Sequence, residues 1–72
     1  MKESKRERFH RIATNRTNRI IDQLRLLGNC SNRSNYEYTD EEVKKIFAAI
    51  EAELKSQKTR FASSPKSERF SL

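Results

Sequence analysis

Apolar residues at positions 9, 12, 13, 20, 24 and 27 recur at helical spacing. At about 100° per residue, Phe9, Ala13, Ile20, Leu24 and Leu27 fall on one narrow stripe, with Ile12 and Ile21 on its flanks. No Gly or Pro interrupts residues 2–27, and Gly28 then stands where a helix commonly ends on a left-handed residue. The pattern predicts a helix over about 5–27, with residues 1–5 fraying. A second stripe of Val43, Ile46, Phe47, Ile50, Leu54 and Phe61 predicts another helix over about 40–61. Its start is marked by Thr39 and, three residues on, Glu42, the signature of a capping box. Asp40, Glu41 and Glu42 place negative charge where a helix N-terminus favours it. Ser63-Ser64-Pro65 closes the second helix. Residues 62–72 have no apolar period to pack and are expected to be a disordered tail, which leaves residues 1–61 as the structured part.

Between the helices, residues 28–38 include Asn29, Ser31, Asn32, Ser34 and Asn35, types that bond their own backbone and favour turns. A connection of about eleven residues favours an antiparallel arrangement. The expected fold is therefore all-α, an antiparallel two-helix hairpin. Counting outward from the turn pairs Leu24 with Phe47, Ile20 with Ile50 and Phe9 with Phe61, and sets Arg16 opposite Glu53. A hairpin alone leaves the apolar edges at Ile12, Ile21 and Phe47 wet. Two remedies are open: dimerisation into a four-helix bundle, or docking on a larger partner. Ala48, Ala49 and Ala52, away from the second stripe, either serve as good helix formers or admit the close approach of another helix.

Composition reinforces the need for such a partner. In 72 residues, 33% are apolar and 36% charged, a thin supply for a self-contained core. The lone Cys30 permits neither an internal disulfide nor a zinc site, which fits a reducing, cytoplasmic setting. No apolar run is long enough to span a membrane, and MKESKRER lacks the apolar stretch of a signal peptide. The Asn-x-Ser/Thr triplets at Asn15, Asn29 and Asn32 are accordingly read as incidental.

Charge distribution brings in candidate chemistry. The formal net charge is +6, and residues 1–27 carry eight Lys/Arg against three Asp/Glu. Residues 39–61 balance five against five. The excess therefore lies on the first helix and implies one basic surface facing an anionic partner. Away from its stripe that helix displays Arg8, Arg11, Asn15, Asn18, Arg19, Asp22 and Arg25. Arginine presents a rigid fork of donors to phosphate or guanine edges, and asparagine pairs with base edges. In the connection, Asn32 and Arg33 add polar contacts, and Tyr36 is placed to stack on an unpaired base. The alternatives are plain: a charge run is commonly a solvated face, Asn and Ser build loops, and Tyr36 and Tyr38 suit the capping of a core.

Enzymatic chemistry is not indicated. His10 is single, Cys30 lacks a neighbouring His or Asp motif, and one Gly cannot build a phosphate loop. Neither a metal nor a cofactor is expected. The reading favours a small basic nucleic-acid-binding accessory protein, with RNA preferred over DNA because no helix-turn-helix spacing or zinc finger is present. Its partners would be the RNA or DNA phosphate backbone and a second copy of the chain, with no membrane. The alternative is a protein-interaction module that docks on a larger enzyme or assembly and modulates it. In layout the chain resembles small plasmid-encoded hairpin proteins that dimerise into four-helix bundles and bind RNA through their first helix. That resemblance is one of architecture, with no shared motif.

Overall fold

The computed structural model describes residues 2–62. Among them the chain forms two helices and no strand: α1, Lys5–Asn29, and α2, Asp40–Ala62. The chain divides into two units between Glu37 and Tyr38, one containing α1 and the turn after it, the other containing α2. The expected tail lies outside the described residues from position 63 onward, and Ala62 belongs to α2.

In the first unit, α1 opens more firmly than its apolar pattern suggested. Ser4 is extended, with φ −73° and ψ 164°, and caps the helix. The Glu7 backbone N–H donates to Ser4 Oγ at 3.1 Å, and the Ser4 N–H donates to Glu7 Oε1 at 2.9 Å. This reciprocal box satisfies two donors that would otherwise lack partners at a helix start. The far end also differs from expectation. Gly28 is helical, no described residue has a positive φ, and α1 runs on to Asn29. The helix ends by tightening. Cys30 N–H donates to the Leu27 carbonyl at 3.0 Å and Ser31 N–H to the Gly28 carbonyl at 3.1 Å, both three residues back. Such short-spaced bonds satisfy the last carbonyls without a left-handed residue.

Asn32 then starts a turn of its own. Its Oδ1 accepts from the Ser34 N–H at 2.9 Å. Its carbonyl accepts from the N–H groups of Asn35 and Tyr36 at 3.1 and 3.0 Å. The Asn/Ser-rich run is thus a self-bonded turn in which Asn32 acts as a miniature N-cap.

The second unit begins at the expected capping box. Thr39 N–H donates to Glu42 Oε1 at 2.8 Å, and Glu42 N–H returns to Thr39 Oγ1 at 3.2 Å. Further along, Gln57 Nε2 donates to Glu53 Oε2 at 2.6 Å, and Arg60 Nη1 donates to Gln57 Oε1 at 3.1 Å. These i, i+3 and i, i+4 bonds run along the helix surface.

Neither helix buries a residue. Ile20 is 61% exposed, Leu54 54% and Phe61 72%. Ile12, Ala13 and Leu27 of α1 and Val43 and Ile50 of α2 are half-buried. Both apolar stripes exist as helix faces, and both remain largely in water. No described helix is long and apolar enough to cross a membrane.

Candidate nucleic-acid interface

The interface candidate is built on α1, and its geometry follows from the helix period. Arg8, Arg11, Asn15, Asn18, Asp22 and Arg25 succeed one another at steps of three or four residues, so they form one ridge. Arg19 borders the same ridge. At 1.5 Å per residue, Arg8 and Arg25 stand about 25 Å apart along the axis. The ridge faces away from the Phe9, Ala13, Ile20, Leu24 and Leu27 stripe. Both faces arise from the same unbroken helix, so the basic ridge is held rigidly once α1 forms.

All six α1 candidates, Arg8, Arg11, Asn15, Asn18, Arg19 and Arg25, are exposed. Arg8, Arg19 and Arg25 make no ion pair among the described residues. Asp22 sits three residues from both Arg19 and Arg25 and dilutes the positive field at that end.

Arg11 is different. Its Nε donates to Glu3 Oε2 and its Nη2 to Glu3 Oε1, each at 2.9 Å. This is a side-by-side fork between guanidinium and carboxylate. The Glu3 carboxyl lies below its ordinary pKa, chiefly because Arg11 hydrogen-bonds the charged form. The Arg11 guanidinium is raised for the same reason. The Ser4 backbone N–H, followed by the Ser4 side chain, lowers the Glu7 carboxyl. A shallow open groove lined by Ser4, Arg6, Glu7, His10, Arg11 and Thr14 runs beside this pair. Phe9 and His10 meet edge to face, with ring centroids 6.4 Å apart.

The connection candidates divide by role. Asn32 spends its Oδ1 and its carbonyl on the turn, which leaves the Nδ2 donors for another partner. Tyr36 is 52% exposed, with its backbone N–H tied to Asn32. Arg33 is exposed in the same turn, while Tyr38 is half-buried. The structure brings the α1 residues together as one ridge. It brings Asn32, Arg33 and Tyr36 together only as members of the turn that follows.

Two features escaped the reading of the sequence. The Ser4-Lys5-Arg6-Glu7 box carries the same S/T-x-x-E signature as Thr39–Glu42 and was legible by the same rule. The Glu3–Arg11 pair spans eight residues, and no simple helical spacing announces it. It forms because helical side chains lean toward the N-terminus, so Arg11 reaches back past the first turn to the residue ahead of the cap. Among the described residues, no cluster of His, Cys, Asp or Glu is arranged to hold a metal ion. Cys30 is an exposed free thiol.

No family model matches the chain, and neither the curated proteins nor the solved structures provide a match.

Proposed function

We propose that this chain is a small basic nucleic-acid-binding accessory protein of the cytoplasm, without enzymatic activity of its own. The Arg/Asn ridge of α1 would lie along a phosphate backbone, with RNA preferred over DNA. The observation that carries this reading is the segregation of α1: Arg8, Arg19 and Arg25 are exposed and without ion pairs among the described residues, on the side opposite the apolar stripe. Several exposed guanidinium groups on one rigid helix suit multidentate phosphate contact. Tyr36 in the following turn would add stacking on an unpaired base.

The same proposal includes an architecture. The two helices pack as an antiparallel hairpin, and a second copy covers the remaining apolar surface in a four-helix bundle. Support comes from the exposure of the large apolar side chains on both stripes, since a lasting apolar patch of that kind ordinarily has a partner. The basic ridge, opposite the α1 stripe, stays on the outside of such a bundle.

The decisive measurement is affinity for labelled RNA and duplex DNA across salt concentrations. Binding should weaken steeply between roughly 50 and 200 mM salt, because each neutralised phosphate releases counterions. Absence of any complex with RNA or duplex at low salt overturns the reading.

A second reading draws on the apolar exposure alone: a module whose stripe docks on a larger protein and modulates it. An apolar docking surface would be nearly indifferent to salt, so the same titration separates the two.

A further inference from the structure

Arg11 differs from the other arginines of the ridge because its fork is already filled. The paired 2.9 Å bonds to both Glu3 oxygens use the donor geometry with which a guanidinium takes a phosphate. Glu3 is delivered to that position by the chain itself. It immediately precedes the Ser4 cap, whose extended backbone and reciprocal box with Glu7 fix the direction of entry into α1. The open groove beside the pair is lined by Ser4, Arg6, Glu7, His10 and Thr14 as well as Arg11, so an incoming phosphate has access to the guanidinium from solvent.

We propose that Glu3 is an intramolecular phosphate mimic that occupies Arg11 and tempers the affinity of the α1 ridge for nucleic acid. The inference rests on the binding role proposed above and specifies how that surface is tuned. A phosphodiester that takes Arg11 must displace a tethered carboxylate. One ion pair is exchanged for another, and the counterion release that normally favours binding is lost at this position. Arg11 then joins the complex only where the ligand is already held by neighbouring residues such as Arg8. Casual contact with polyanions is thereby discouraged.

The test is a double-mutant cycle of E3Q and R11Q, with affinity for a labelled single-stranded RNA of mixed sequence read across salt. Gln keeps the size of Glu3 and removes its charge. E3Q should bind about two- to five-fold tighter at low salt, the range set by an exposed ion pair. Its slope of log affinity against log salt should steepen by about 0.7, one additional phosphate contact on a single strand. Both changes should disappear in the R11Q background. If wild type binds RNA and E3Q matches it, the competitor role is overturned while the binding role stands. An E3Q gain that persists in R11Q also overturns it, because the effect is then one of overall charge. If neither wild type nor E3Q forms a complex, both proposals fall together. The Arg11 Nε–H resonance, followed by NMR during RNA titration, provides a check that does not depend on small changes in folding. It should move at lower RNA concentration in E3Q than in wild type, and identical titration curves count against the proposal.

Discussion

At the scale of single residues, three positions bear on the local geometry. Thr39 holds the start of α2 through the 2.8 and 3.2 Å bonds of its box. Replacing it by Ala should cost about 1 kcal/mol of stability, measurable as a lowered denaturation midpoint, whereas Thr39→Ser should be nearly silent. Gly28 makes the opposite prediction. It is helical, has no positive φ, and a Cβ added there would meet nothing within 4 Å. Gly28→Ala should therefore stabilise α1 by about 0.5–1 kcal/mol. A loss of helicity in the circular dichroism of that variant would return Gly28 to the left-handed ending that its position suggests. The third position, Glu7, makes the cap sensitive to pH. Its carboxyl is lowered by the Ser4 backbone N–H and then the Ser4 side chain, and Glu3 is lowered by Arg11. A lowered folded-state value means stabilisation that is fully present above the ordinary carboxylate pKa. As pH falls through the lowered folded-state value that stabilisation is lost. Amide exchange at Ser4 and Glu7, the two N–H groups bonded in the box, corrected for intrinsic pH dependence, should lose protection over this window, while S4A/E7Q should show little of the effect.

At the scale of the elements, α1 combines two faces that ask for different surroundings. Its stripe needs an apolar neighbour, and its ridge needs water or an anion. Arg8 and Arg11, three residues apart, are mildly unfavourable to the helix, while Asp22, three residues from Arg19 and Arg25, offsets this at the other end. Replacing Arg8, Arg19 and Arg25 together by Gln should leave helix content nearly unchanged and flatten the salt slope by about 2, from three lost contacts to single-stranded RNA. Circular dichroism and a filter-binding titration check the two halves. If binding and slope are unaltered, the ridge is a solvated face. The element between the helices has a different character. The Asn32 turn is bonded to itself, so Asn32→Ala should loosen the 32–36 turn and weaken any contact from Tyr36 without removing the main salt-dependent term.

At the scale of the whole molecule, the leading observation is that neither helix buries a residue. Most helical stability in proteins comes from packing of an amphipathic face rather than from intrinsic propensity. Stable, cooperative folding thus points to a partner for the apolar stripes. In the proposed bundle, an Ile50→Asp change should abolish cooperative melting by placing a charge in the seam. The midpoint of the wild-type melt should rise with protein concentration, as mass action requires of an obligate dimer. A cooperative melt independent of concentration would exclude the second copy as the partner, and Arg16→Glu with Glu53→Arg, separately and together, would then test whether the expected hairpin pairing exists within one chain.

Much of this was legible in the residues because the governing interactions are local. Helix periodicity, the Thr39–Glu42 box and the placement of the α1 ridge depend on neighbours three or four positions away, and the chain order lists those neighbours directly. The same locality made Ser4–Glu7 readable in principle. The end of α1 was less legible, since Gly permits a left-handed residue without requiring one, and the choice was made by three-residue backbone bonds at Cys30 and Ser31. The Asn/Ser run announced a turn, but which Asn would anchor it depended on how the backbone left α1. The sequence by itself determined two amphipathic helices, the starting cap of the second at Thr39 and an arginine-rich ridge opposite an apolar stripe of the first. Only the three-dimensional structure decided that Arg11 belongs first to Glu3. The residue ahead of an extended cap and a long side chain leaning back over it meet in space, a juxtaposition set by the path of the chain into the helix rather than by any repeat along it.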